Sequence, residues 1–162
     1  MVTKPDPENT LIIETTQGRV VIALRPDLAP GHVQRIKQLT REGFYDGIVF
    51  HRVIEGFMAQ TGCPHGTGTG GSQYGNLVAE FNSEPHVRGT CSMARASSAN
   101  SANSQFFICF DDAGFLDRQY TVWGQVVSGM EHVDRIKVGV RGSGAVTNPD
   151  RMIKVYLASE KR

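Results

Sequence analysis

Short runs of alternating apolar and polar residues, broken by Gly, Pro, Asn and Asp, make up most of this chain. That pattern predicts β-strands separated by turns. Residues 11–16 and 19–24 read as a first hairpin around Gln17-Gly18, and residues 50–62 as a second around Glu55-Gly56. Further strands are expected over residues 89–94, 104–110, 121–127 and 151–158. A helical period appears twice. Val33, Ile36 and Leu39 mark one face of a helix from about residue 31 to 42, with Gly43 as its stop. Met130, Val133 and Ile136 mark a second helix over residues 130–138. About eight short strands and two helices point to a closed barrel or a sandwich, with the helices placed to plug a barrel's openings.

Register in the second hairpin decides which side chains meet, because a one-residue slip sends every side chain to the other face. A two-residue loop would pair Arg52 with Ala59. The turns that such loops use need a positive φ at their first central position, which suits Glu55 poorly. A three-residue loop, residues 55–57, pairs Arg52 with Gln60 instead, with Met58 on the same face and Phe57 at the turn. A guanidinium fixed among apolar groups is either a member of a structural ion pair or the start of a binding site. In the run Ser104-Gln105-Phe106-Phe107-Ile108, the adjacent aromatics take opposite faces, one toward the core and one toward a groove.

Composition narrows the function classes. A length of 162 residues fits one domain with a proper core, taken here as residues 10–162 behind a loose tail of residues 1–9. Seventeen basic against sixteen acidic residues give no argument for a nucleic-acid or membrane partner. Cys63, Cys91 and Cys109 form no C-x-x-C pair and suggest reduced thiols; with no apolar leader in the first residues, a cytoplasmic protein is expected. Nothing suggests a large apolar interface, so a monomer is expected. Gly66 to Ser72 contains a G-x-G pattern, yet no Lys follows its last Gly and no βαβ unit surrounds it, so it reads as a tight loop and not as a phosphate cradle. Cys63, His65 and His86 match no usual zinc spacing, and neither a metal nor another cofactor is expected.

Two runs carry a resemblance. Residues 50–60, Phe50-His51-Arg52-Val53-Ile54-Glu55-Gly56-Phe57-Met58-Ala59-Gln60, resemble the F-H-R-[IV]-I-x-G-F-M-x-Q signature of the cyclophilins, and residues 104–108 resemble their S-Q-F-F-I run. Phe44-Tyr45-Asp46-Gly47, Gly68-Thr69-Gly70-Gly71, Ser92-Met93-Ala94 and Phe115-Leu116-Asp117 match in the same order. The resemblance implies a mainly β fold, a closed eight-stranded antiparallel barrel capped by two α-helices. It also implies peptidyl-prolyl cis–trans isomerase activity on proline-containing peptides and on unfolded or folded protein clients.

By the same resemblance Arg52 is the catalytic arginine and Gln60 holds it and the substrate carbonyl. Phe106, with Phe57, Met58 and Leu116, forms the wall of the proline pocket. Ala94 and Gln105 contact the residues before proline. Phe115 and Tyr120 stand where many members carry Trp and His, and Arg95 replaces a common Asn, which resembles the short bacterial branch and implies reduced affinity for cyclosporin. Rotation about a prolyl bond needs neither nucleophile nor metal, in keeping with a sequence that has no clear triad or ligand cluster.

Overall fold

The structure, a computed structural model, describes residues 6–160. Eight strands form one antiparallel sheet: β1 (Thr10–Thr15), β2 (Gly18–Leu24), β3 (Arg52–Ile54), β4 (Met58–Thr61), β5 (Thr90–Met93), β6 (Phe106–Cys109), β7 (Val122–Ser128) and β8 (Met152–Leu157). Their order across the sheet is β3-β4-β6-β5-β7-β2-β1-β8. Alternation decides the inner face. Leu11 and Ile13 of β1 and Val20, Ile22 and Leu24 of β2 are buried, as the period of two requires. Tyr45, Phe106 and Trp123 stack edge to face at the centre, with ring centroids 5.5 and 5.2 Å apart.

The expected closed barrel is instead an open half-barrel. β3 and β8 are the two ends of the sheet and do not pair with each other. β3 has only three residues, too few to carry a closing ladder, and the chain before it bends toward β8. Irregular chain spans the opening. Met152 N–H donates to Ile48 O at 2.8 Å, and Val49 bridges Arg151. The free edge of β3 is covered by the loop after α2: Val53 N–H donates to Gly144 O at 2.8 Å, and Gly139 N–H donates to Val53 O at 2.9 Å. Covering the edge protects it from pairing with another chain.

α1 (Pro30–Arg41) starts where expected and lays Val33, Ile36 and Leu39 into the core. Ala29 offers no capping side chain. Glu80, from a distant loop, accepts Gly31 N–H at 3.0 Å and His32 N–H at 2.8 Å instead, placing a carboxylate on the positive end of the helix. α2 (Met130–Val133) is shorter than the expected helix. Arg135 and Ile136 donate to residues three back, so the turn tightens, and Asp150 Oδ2 accepts Lys137 N–H at 2.7 Å and draws the chain away. Val133 and Ile136 are buried as expected, the latter from a turn. Of the expected loose tail, residues 1–5 lie outside the described residues, while Pro7–Asn9 form a 3-10 turn capped by the Asp6 carboxylate.

Candidate active site

Two strand registers assemble the site. β3 pairs with β4 so that Arg52 faces Gln60 and Ile54 faces Met58, the three-residue loop predicted from Glu55-Gly56-Phe57. β4 pairs with β6 so that Gln60 faces Phe107 and Met58 faces Cys109. Residues opposite each other in an antiparallel pair share a face, so Arg52, Met58, Gln60 and Phe107 all project on the outer side of the sheet. Phe106 therefore cannot join them. The expectation that Phe106 forms the pocket wall is corrected: it is 1% exposed inside the half-barrel against Tyr45 and Trp123, and Phe107 takes the wall.

The outer face carries an apolar cluster separate from the core. Met58, Phe107, Cys109, Ala113 and Leu116 are buried in it, with Ile54, Phe57, Ala94 and Tyr120 packed around them. Between these groups lies a hollow of about 450 Å³ whose lining includes Arg52, Phe57, Met58, Phe107, Leu116 and Tyr120. Phe115, 67% exposed, extends the rim and lies 5.4 Å from the Phe57 ring. Ala94 and Gln60 also border a second, more polar recess of about 340 Å³, walled further by Gln105 and the loop of Gly68 to Ser72.

A one-way relay of hydrogen bonds holds Arg52. Gln105 Nε2 donates to the carbonyls of Gly68 and Gly70, both at 2.9 Å. Its amide oxygen is thereby turned toward Gln60, whose Nε2 donates to it at 2.9 Å. That leaves Gln60 Oε1 to accept Arg52 Nη1–H at 3.1 Å. Arg52 Nε–H donates to Ser143 O at 3.2 Å. Two neutral acceptors thus orient a guanidinium whose charge no carboxylate cancels among the described residues. The Gly-rich loop is drawn in because Cys63 Sγ accepts N–H groups from Gly68 and Gly70 at 3.3 Å each. Burial pushes the Cys63 thiol up, but the loop N–H groups outweigh it and bring its pKa to about 7. Gly68, at φ +88°, lies in the left-handed region, as the tight-loop reading requires.

Three further residues shape the site, and of these only Arg95 drew notice for it from sequence, as the replacement of a common Asn. His51 lines the hollow beside Arg52, and burial, followed by the Arg52 charge, lowers its pKa. Behind the wall, the His86 ring stacks on Phe107 with centroids 6.2 Å apart. His86 Nε2 lies 2.9 Å from Ser92 Oγ, and Nδ1 lies 3.0 Å from Asp117 Oδ1. The order Ser-His-Asp is that of a hydrolase triad. Ser92, however, is fully buried beside its cross-strand partner Phe107, so the three groups brace the wall and do not face a substrate. Arg95 stands between the hollow and the recess, with its guanidinium 4.5 Å from the centre of the Tyr120 ring. Among the described residues no group of three or more His, Cys, Asp or Glu is placed to hold a metal ion.

Comparison with known proteins agrees with this fold. The family "Cyclophilin type peptidyl-prolyl cis-trans isomerase/CLD" matches residues 10–157. A probable peptidyl-prolyl cis-trans isomerase of Brucella suis is 56% identical over 169 residues, covering 97% of this chain and 86% of the relative. A peptidyl-prolyl cis-trans isomerase of Synechococcus elongatus is 43% identical over 149 residues, covering 92% and 96%. Among solved structures, the cyclophilin AquaCyp293 of Hirschia baltica superposes with a TM-score of 0.89 at 30% identity, covering 99% of this chain and 77% of that one. A Cryptosporidium parvum cyclophilin-type isomerase, solved in the presence of the dipeptide Ala-Pro, gives a TM-score of 0.84 at 28% identity, covering 91% and 98%. The half-barrel with its guanidinium-rimmed apolar hollow thus belongs to a member of the cyclophilin family, a peptidyl-prolyl cis-trans isomerase.

Proposed function

We propose that the hollow takes the pyrrolidine ring of an X-Pro segment and that Arg52 donates a hydrogen bond to the prolyl nitrogen as the bond twists, so assisting the folding of proline-containing client proteins. One observation carries this reading: a charged Arg52, steadied by Gln60 and Ser143, at the lip of an apolar hollow formed by Met58, Phe107 and Leu116. The planar amide resists rotation by about 18–20 kcal/mol because twisting breaks its resonance. At the half-turned stage the nitrogen regains a lone pair. A donor at that nitrogen then binds the transition state better than either ground state, which is what catalysis needs.

Magnitudes apportion the work. Moving from tens of seconds to milliseconds takes about 4 decades, or about 5–6 kcal/mol. A charged hydrogen bond supplies about 1.5–3 kcal/mol. The rest falls to the ring held in an apolar hollow, where a drier setting favours the less polar twisted amide, and to contacts with the chain before proline along Ala94 and Gln105. The Ala-Pro dipeptide with the Cryptosporidium relative supports proline as the recognised residue.

Exchange NMR on a short Ala-Pro peptide tests this. Arg52→Ala is expected to keep the fold and lower kcat/KM about 10- to 100-fold. Near-normal turnover by the variant sinks the role of Arg52. Binding without accelerated exchange in the unmodified protein makes the domain a proline-peptide binding module instead.

A further inference from the structure

The lining of the hollow and its recess contains two permanent cations, Arg52 and Arg95, and no Asp or Glu. Arg19, Arg25, Arg41 and Arg88 each meet a carboxylate, but no carboxylate of the described residues lies within ion-pair distance of Arg52 or Arg95. Asp117, which adjoins Leu116 of the lining, is engaged by the His86 backbone N–H at 2.7 Å and by its ring. With a net charge of +1 for the whole chain, this positive field belongs to the groove and not to the molecule.

Arg95 is held in place. Its Nε and Nη2 donate to Gln119 O at 3.1 and 2.7 Å, and its Nη1 donates to Ala96 O at 3.0 Å and Ser97 O at 3.3 Å. The Tyr120 ring lies under the guanidinium. Carbonyl oxygens satisfy N–H directions but carry no net charge, so the staple positions the cation without neutralising it. Arg95 follows Ala94, and both border the recess as well as the hollow.

We infer that Arg95 is a specificity-determining residue, and that its fixed, unpaired charge selects X-Pro substrates bearing a carboxylate within two residues on the N-terminal side of proline. The inference rests on the isomerase reading above, in which the proline ring fills the hollow and the preceding residues run along Ala94 and Gln105. A carboxylate at about 7 Å from the cation, in the partly screened setting of a groove, shifts kcat/KM about three- to tenfold. The plainer role, a staple joining the turn after Ala94 to the chain at Gln119, accounts for the hydrogen bonds but selects no substrate charge.

The test uses matched tetrapeptides, Ala-Glu-Pro-Phe against Ala-Gln-Pro-Phe and Glu-Ala-Pro-Phe against Gln-Ala-Pro-Phe, blocked at both ends, with isomerisation followed by exchange NMR. In at least one pair the Glu peptide is expected to show a three- to tenfold higher kcat/KM at low salt, and the preference is expected to fade in 0.5 M NaCl. Arg95→Gln should reduce it below twofold, while Arg95→Lys, which keeps charge and loses the staple, should retain most of it. Equal handling of both pairs by the unmodified protein, a preference indifferent to salt, or an equal loss in Arg95→Gln and Arg95→Lys overturns the selection. Fast exchange with no preference removes only this role of Arg95; no acceleration of any peptide removes the isomerase reading and this inference with it.

Discussion

At the scale of single residues, one position of parity separates the two aromatics of β6. Phe107 pairs with Gln60 and faces the hollow; Phe106 pairs with Thr61 and faces Trp123. Truncating Phe106 leaves a sealed void in the core, which costs about 3–5 kcal/mol. Phe107 borders an open hollow, so its loss widens a space already reached by water. Phe106→Ala is therefore expected to lower the denaturation midpoint strongly while the folded fraction keeps kcat/KM within a few-fold. Phe107→Ala should lose at least about tenfold in kcat/KM with a smaller stability cost, since binding and transition-state contacts go together. Urea melts and proline-peptide turnover at low temperature check both, and a larger catalytic defect in Phe106→Ala would reverse the assignment. The parity was legible beforehand. Gln105 was assigned to the groove, and residues two apart in a strand share a face, so Gln105 already implied Phe107. The resemblance marked a run of residues, and only the period of two says which member of it faces out.

At the scale of elements, strand positions and α1 were legible because each rests on local periodicity and turn chemistry. The three-residue loop at Glu55-Gly56-Phe57 was legible for the same reason, and Gly56 has the positive φ, +74°, that the turn needs. What the sequence reading got wrong was long-range: it closed the sheet into a barrel, and it carried α2 on to residue 138. Both depend on the loop after α2, whose partners β3 and Asp150 are set by tertiary geometry. That loop also reaches the site. Gly144 sits at φ +78°, and a Cβ there would lie 2.7 Å from Ile54 Cγ1 and 3.0 Å from Arg52 Cγ. Gly142, at φ +99°, has nothing within 4 Å of the same position. Either Ala substitution meets left-handed strain of about 1–2 kcal/mol. Only Gly144→Ala should also push Arg52 off Gln60, lowering kcat/KM about tenfold, a loss set by misorientation of the donor. Gly142→Ala should turn over proline peptides normally. Equal activity in the two variants would show that the edge loop does not position Arg52.

At the scale of the whole molecule, acid sensitivity follows from three histidines that folding withdraws from water. Burial lowers the pKa of His32 despite Glu80, of His86 despite Asp117, and of His51 with help from Arg52. Each group binds its proton less readily when folded than when unfolded, so between the lowered values and the ordinary value near 6.5 the unfolded chain holds more protons. The histidines must then make stability rise with pH across that interval, by up to about 1.4 kcal/mol per pH unit for each of them, and their contribution levels off above it. The carboxylates act later: Glu80 and Asp117 have lowered pKa values, so their contribution persists above the ordinary carboxylate range and is lost only as pH falls through those lowered values. The interval from about pH 6.5 to 5 therefore isolates the histidines. Urea-derived stability is expected to fall gently from about pH 8 to 7, as Cys63, whose pKa the fold brings to about 7, regains its proton, and to fall steeply below about 6.5, and His32→Gln should remove part of the steep fall whatever its effect at neutral pH. Because His86 braces Phe107 and His51 borders Arg52, the same protonations strike the site, and isomerase activity should decline over the same interval while the chain is still folded. A stability curve that is level or rising as pH drops from 7 to 5 would mean that these rings keep their protons in the fold, contrary to the burial that surrounds them.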